Sequence, residues 1–207
     1  MRGLQANTAP TLPTSKGVSD DLLPATRGAG PLLQRDYWAV LEGCGLRPSE
    51  LMSRVKQHFC ELPPSALVEF IAPDGIGPDA RLDIRIRPNQ ECAVRVIHED
   101  PQSVTLGTLS GHPEAGRITF ASYRDTAGRI LFHIRSRARS TTAMKRLGFL
   151  AIGDAMQTNT WTDFIRNVAL LADASIAGAI HAGTATVDDE PEDDDPLRAP
   201  TFLAQGD

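Results

Sequence analysis

Arg81-Leu82-Asp83-Ile84-Arg85-Ile86 alternates, residue by residue, between a charged and an aliphatic side chain, and four further stretches repeat the pattern. Cys92, Val94, Val96 and His98 keep the same period of two, as do Val104, Leu106 and Thr108. Ile118, Phe120 and Ser122 follow, then Ile130, Phe132, Ile134 and Ser136. Successive side chains of a strand point to opposite faces, so the pattern predicts five strands with one covered face and one largely solvated face. The breaks between them hold turn formers: Pro88-Asn89, Asp100-Pro101, Gly111-His112-Pro113 and Asp125 to Gly128. Connections this short join neighbours in an antiparallel meander.

Upstream, Tyr37 to Leu41 reads as a first strand ended by Gly43 and Gly45. Pro48 and Ser49 then open a helix carrying Leu51, Met52, Val55 and Phe59, stopped before Pro63-Pro64. A second short helix is predicted from Ser65 to Ile71, ahead of Pro73. Downstream of the meander, Ser140-Thr141-Thr142 offers an N-cap and the period becomes helical. Leu147, Leu150, Trp161, Ile165 and Val168 form a stripe that Phe149, Ile152, Met156, Phe164 and Leu171 widen. A helix from 142 to 172 would be about 46 Å long. Thr160-Trp161-Thr162-Asp163 resembles a capping box, which leaves open a break near Asn159. Continuous or broken, this segment is what must cover the apolar face of the meander.

The chain has 207 residues, suited to one domain with extensions. Residues 1–30, rich in Ala, Pro, Thr, Gly and Ser, read as a disordered leader; 31–175 reads as the single domain; 176–207 reads as a disordered acidic tail. Dividing the net charge of −5 by these segments gives +1, +1 and −7. A near-neutral domain argues against a general electrostatic grip on nucleic acid through Arg135, Arg137, Arg139, Lys145 and Arg146. The acidic run Asp188 to Asp195 offers a handle for a protein partner. No membrane span and no secretion signal are expected. Cys44, Cys60 and Cys92 form neither a disulfide framework nor a zinc knuckle, which points to the cytoplasm. Neither a metal nor a cofactor is expected, since the five histidines are scattered and no phosphate loop is present.

Strand, short helices, antiparallel sheet and long C-terminal helix is the order of the helix-grip, or START-like, fold. The chain resembles that α+β class, with a curved antiparallel sheet of about six strands wrapped on the last helix. A more specific resemblance lies in Gly107-Thr108-Leu109-Ser110-Gly111-His112-Pro113-Glu114-Ala115-Gly116-Arg117-Ile118-Thr119-Phe120, with Arg95-Val96 upstream and Ser136-Arg137 downstream. Over Ala93 to Val168 the chain is similar to the bacterial and plant family known as domain of unknown function nineteen-ninety. That resemblance supports the fold and implies no reaction.

Alternate connections of an antiparallel meander fall at the same end of the sheet. The connections at 88–91 and 110–116 and the exit of the last strand therefore share an end, gathering His112, Glu114, Arg117, Arg137 and Arg139 beside the start of the long helix. Arginines and helix N–H groups favour an anion there. A cavity between sheet and helix would be lined by Val94, Val96, Leu106, Phe120, Phe132 and Ile134, with Thr108 and Ser136 near its mouth. Apolar walls with a few convergent polar groups suit a small molecule, here an apolar one with an anionic head. An enzyme of the cyclase, dehydratase or hydrolase type is the alternative, with His112 and Glu114 as a base and its orienter. The plainer alternatives are a local turn in which Glu114 pairs with Arg117, a solvated strand face for Arg135, Arg137 and Arg139, and a gap filled by interdigitating side chains. His133 is expected at the surface, and His58 and the tryptophans in structural roles.

Overall fold

The computed structural model describes residues 21–141 and 150–188, with backbone alone over 150–156. The eight strands are β1 (Ala29–Glu42), β2 (Val68–Ile71), β3 (Arg81–Ile86), β4 (Gln90–Glu99), β5 (Ser103–Thr108), β6 (Glu114–Arg124), β7 (Ile130–Ser140) and β8 (Ser175–Val187). They form one sheet in the order β2-β3-β4-β5-β6-β7-β1-β8, with antiparallel pairing throughout. Among the described residues two α-helices accompany it, α1 (Pro48–Gln57) and α2 (Leu150–Leu171).

The meander β3 to β7 forms at the predicted places, and its alternation divides the faces. Leu82 and Ile84 of β3 are buried, while Arg81, Asp83 and Arg85 are exposed. The inner face continues through Val94, Val96, Val104, Leu106, Phe120, Phe132 and Ile134 into one apolar cluster with both helices. In α1, Pro48 takes the first turn, where its missing N–H costs nothing, and Glu50 reaches back to accept the Arg47 amide at 2.8 Å. That helix buries Leu51, Met52 and Val55.

An aromatic group closes the centre. The Phe59 ring lies 4.9 Å from Phe120 and 5.4 Å from Phe164, centroid to centroid. Phe164 in turn lies 5.2 Å from Phe120 and 6.1 Å from Phe132, and Trp161 stands 5.5 Å from Phe120. An antiparallel sheet laid over its C-terminal helix in this way is a helix-grip arrangement.

Four expectations need correction. Residues 68–71, expected at the end of a short helix, form β2, in which Val68 and Phe70 point inward opposite Ile86 and Ile84. So short an apolar run carries no period that separates helix from strand, and its valine, phenylalanine and isoleucine favour the pleated surface.

Among the described residues the sheet has eight strands rather than about six, because β2 joins it beside β3 and the supposed tail adds β8 beside β1. Residues 175–187 pair along β1 from Glu42↔Ser175 to Leu32↔Val187. Their Ala, Gly and Thr look mobile by composition, yet backbone hydrogen bonding needs no large side chains. The acidic residues beyond Asp188 lie outside the described residues.

The leader, too, is ordered in its last part. Leu23 N–H donates to Thr108 O at 2.8 Å, Ser110 N–H to Asp21 O at 2.8 Å, and Gly116 N–H to Leu23 O at 3.0 Å. Residues 21–28 thus tie across one end of the sheet, and β1 begins at Ala29 rather than near Tyr37. Residues 1–20 lie outside the described residues.

At Asn159, where the sequence leaves a break open, α2 runs on without one. Thr160 is buried, and Thr162 spends its hydroxyl on Thr158 O at 2.8 Å, inside the helix. The predicted N-cap at Ser140 to Thr142 and the helical start at 142–149, with Lys145 and Arg146, lie outside the described residues. Among the described residues no helix is long and apolar enough to cross a membrane.

Candidate functional site

Glu114, Arg117, Ser136, Arg137 and Arg139 lie at one end of the sheet, as strand parity predicts, but the pleat sends them to opposite faces. Cross-strand pairs Glu114↔Ser140, Gly116↔Ala138, Arg117↔Arg137 and Ile118↔Ser136 lie at that end. Even-numbered β7 residues share the inner face with Phe132 and Ile134, while His133, Arg135, Arg137 and Arg139 take the outer one.

On the inner face, Arg35 Nη1 lies 3.1 Å from Glu114 Oε1, with the two side chains 5% and 12% exposed. Gln157, on α2, donates from Nε2 to the other Glu114 oxygen, Oε2, at 2.9 Å. Ser136 pairs with Arg35 on one side and Ile118 on the other, and is 6% exposed. Two buried atoms here have no hydrogen-bond partner, Ser136 Oγ and Gln157 Oε1. Buried polar atoms are nearly always satisfied, so two orphans in one neighbourhood mark a place that a ligand or water completes. Ser122 Oγ is also an orphan on this face, beside Phe132. It is separated from the cluster by Phe120 and Ile134.

Thr108 is used up by the fold: Oγ1 donates to Leu23 O at 2.8 Å and accepts the Gly116 amide at 2.9 Å. Val94, Val96, Leu106, Phe120, Phe132 and Ile134 all face inward and are buried. Phe120 and Phe132 abut Phe164, so this part of the expected lining is packed against α2 rather than open.

His112 does not assist Glu114's carboxylate. Its Nδ1 accepts the Glu114 amide at 3.0 Å and stands 2.9 Å from Glu114 O, so the imidazole's hydrogen bonds go to the Glu114 backbone and not to its carboxylate. Burial pushes the His112 imidazole below its ordinary value, against the opposing pull of Glu114. The base-and-orienter pair is not made. Glu114 pairs with Arg35 rather than with Arg117.

The outer face carries its own network. Arg137 Nε donates to Gln34 Oε1 at 2.8 Å, and Gln34 Nε2 to Asp36 Oδ2 at 2.7 Å. Asp36 Oδ1 also meets Arg135 Nε at 2.7 Å and His133 Nε2 at 2.8 Å. Tyr123 Oη lies 3.1 Å from His133 Nδ1, and Arg139 donates to Gly30 O. His133, expected at the surface, is 1% exposed because Asp36, Tyr123 and the neighbouring strands enclose it. Burial lowers the His133 imidazole below 6.5 despite the hydrogen bond and charge of Asp36. Burial alone would raise the Asp36 carboxyl; the His133 and Arg135 bonds hold it below 3.8. Arg137 and Arg139 are thus engaged on the outer face, and Arg117, paired across the strands with Arg137, shares that face.

Arg35 and Gln157 were not among the expected site residues. Both had a signal. Arg35 is in step with inward-facing Tyr37, Ala39 and Leu41, and Gln157 sits at helical spacing before Trp161, Phe164 and Val168. A charged or amide side chain on an apolar stripe is the informative exception.

A family model described as "Domain of unknown function (DUF1990)" matches residues 61–167. The chain belongs to that family. Its matched region includes Glu114, Ser136 and Gln157, while Arg35 lies upstream of it. No curated protein matches the chain.

Among solved structures, the chain is similar to norcoclaurine synthase from Thalictrum flavum in complex with dopamine and hydroxybenzaldehyde. The TM-score is 0.48 at 10% identity, over 79% of this chain and 96% of that one. It is also similar to the di-domain ARO/CYC protein StfQ of the steffimycin biosynthetic pathway, with TM-score 0.45 and 9% identity over 69% of this chain. This chain spans only about half, 51%, of that two-domain protein. Protein CV1439 from Chromobacterium violaceum matches with TM-score 0.43 and 14% identity, over 68% of this chain and 96% of that one.

Proposed function

We propose that this DUF1990 chain binds a predominantly apolar small molecule between the inner face of the sheet and the N-terminal half of α2. Its polar group sits on Ser136 and Gln157. The observation that carries this reading is the pair of orphan atoms, Ser136 Oγ and Gln157 Oε1, beside an otherwise satisfied Arg35–Glu114 pair. A buried ion pair gives little net stability over an apolar substitute, so its place in a greasy interior is better explained by recognition. An anionic head group, the expectation from sequence, loses its support once Arg117, Arg137 and Arg139 face outward. The unpaired thiols of Cys44, Cys60 and Cys92 favour a reducing compartment such as the cytoplasm.

Native mass spectrometry of the freshly purified full chain tests the proposal. The expected result is a bound species a few hundred daltons heavier than the chain, lost on mild activation and depleted in Ser136→Ala and Gln157→Leu variants. A chain that carries nothing, and takes up no apolar probe when one is added, refutes it.

A further inference from the structure

The hydrogen bonds already made within the cluster limit the polar groups it can accept. Both carboxylate oxygens of Glu114 are committed, Oε1 to Arg35 and Oε2 to Gln157. The Gln157 amide cannot be turned about, because its oxygen would then face the Glu114 carboxylate. Its Nε2 therefore stays on Glu114 and its Oε1 faces away, able only to accept. Ser136 Oγ, the second unpartnered atom, can donate or accept. The cationic charge of Arg35 is met by Glu114 at 3.1 Å and offers no net positive field to an incoming group.

Resting on that binding reading, we infer that the site selects an uncharged hydrogen-bond donor, an alcohol or phenol on an apolar body, and discriminates against carboxylates. The ligand O–H donates to Gln157 Oε1 and its oxygen accepts from Ser136 Oγ. A carboxylate in the same place brings no proton for Gln157 Oε1, gives up its hydration, and meets a neutral Arg35–Glu114 pair rather than a free cation. Burial magnifies that penalty, since few waters screen it. An ether of the same shape satisfies Ser136 and leaves Gln157 Oε1 still an orphan, so it ranks between the two.

Three probes with one bicyclic body separate these cases: 2-naphthol, 2-methoxynaphthalene and 2-naphthoate, all titrated into the full chain at pH 7. Trp161, four residues beyond Gln157 on α2, supplies a fluorescence signal, and calorimetry supplies an independent one. The expected order of affinity is naphthol, then the ether, then naphthoate, with naphthol at least tenfold tighter than naphthoate. Gln157→Leu is expected to erase the advantage of naphthol over the ether, and Glu114→Gln to narrow the gap between naphthol and naphthoate. The unmodified chain alone decides the central point, so a variant that fails to fold does not block the test. Naphthoate binding as tightly as naphthol or tighter overturns the inference while the binding reading stands. Binding of none of the three, in a chain that also retains no molecule on purification, removes the binding reading and this inference with it.

Discussion

Arg35 and Glu114, 79 positions apart in the sequence, meet at 3.1 Å on the helix-facing side of the sheet. Arg35 comes from β1 and Glu114 from the first residue of β6, with β7 between them. The pair therefore spans the part of the sheet where the chain's first strand closes onto the meander, and Gln157 fastens it to α2. Three elements distant in sequence are held in one hydrogen-bonded unit.

Breaking that unit from one side is expected to be costly. Arg35→Met leaves Glu114 buried without the cation it meets at 3.1 Å and is expected to lose about 3–5 kcal/mol of stability, and Glu114→Gln, which removes the charge from the other side of that contact, is expected to destabilise as well. The double variant Arg35→Met/Glu114→Gln is expected to lose less than the sum, because the two changes remove one shared contact. Urea unfolding of the four proteins measures the coupling. Single variants within 1 kcal/mol of the parent chain would mean that water reaches the pair freely.

On the outer face, acid acts in two stages. The folded pKa of His133 lies below 6.5 because burial disfavours the imidazolium, so the unfolded chain takes up the proton first. Stability from this group is full above the unfolded value and declines as pH falls below about 6.5. His112, lowered by burial as well, contributes in the same sense and the same window. Asp36 is held below 3.8, so its contribution survives to lower pH and is lost as pH falls past that unfolded value. Thermal melts from pH 7.5 to 3 are expected to show both declines, with His133→Gln flattening part of the upper one. An unaltered upper decline in that variant would assign it to other groups.

How much of this was legible in sequence depends on the register of single residues. Strands β3 to β7 were readable because Leu82, Val94, Leu106, Phe120 and Ile134 each sit among polar or small neighbours that face water or other strands. β8 was not, since Ala177 to Ala185 is mostly exposed on both faces and carries no hydrophobic period to read. The end of the sheet that gathers Glu114, Ser136 and Arg137 was likewise readable from strand parity. Their division between faces needed a further step, since Ser136 and Arg137 are adjacent in sequence and point to opposite sides. Arg35 escapes a sequence reading because the apolar run that marks the first strand begins only at Tyr37, two residues after it.

Two glycines give a sharp contrast. Gly116 has φ of +153°, and a Cβ there would stand 2.1 Å from Arg137 O and 2.7 Å from Ala138 Cα, both backbone atoms. Gly116→Ala is expected to cost about 3 kcal/mol or more, since the pairing of β6 with β7 must give way next to Glu114. Gly183 of β8 has open space about its Cα and no positive φ. Gly183→Ala is expected to be neutral or to stabilise by about 0.4–1 kcal/mol through the unfolded chain. Melting temperatures of the pair decide it, and equal losses would mean that Gly116 relaxes without disturbing β7.

The strand β8 is held mainly by its ladder to β1, because most of its side chains are exposed on both faces. Only every second residue of an antiparallel edge strand points its N–H and C=O toward the neighbour; the others point outward. Proline removes an N–H, so at consecutive positions it is harmful at one and tolerated at the next. Thr184, opposite Arg35, and Ala185, opposite Gln34, make such a pair. One of Thr184→Pro and Ala185→Pro is expected to cost about 3 kcal/mol and the other much less. The damaging variant also loosens the strand that carries Arg35, so its affinity for 2-naphthol falls together with its stability, while the tolerated variant binds as the parent does. Limited proteolysis followed by mass spectrometry reports the release of β8 directly. Equal resistance in both variants, with stability unchanged, would show that β8 is anchored by side chains rather than by its pairing with β1.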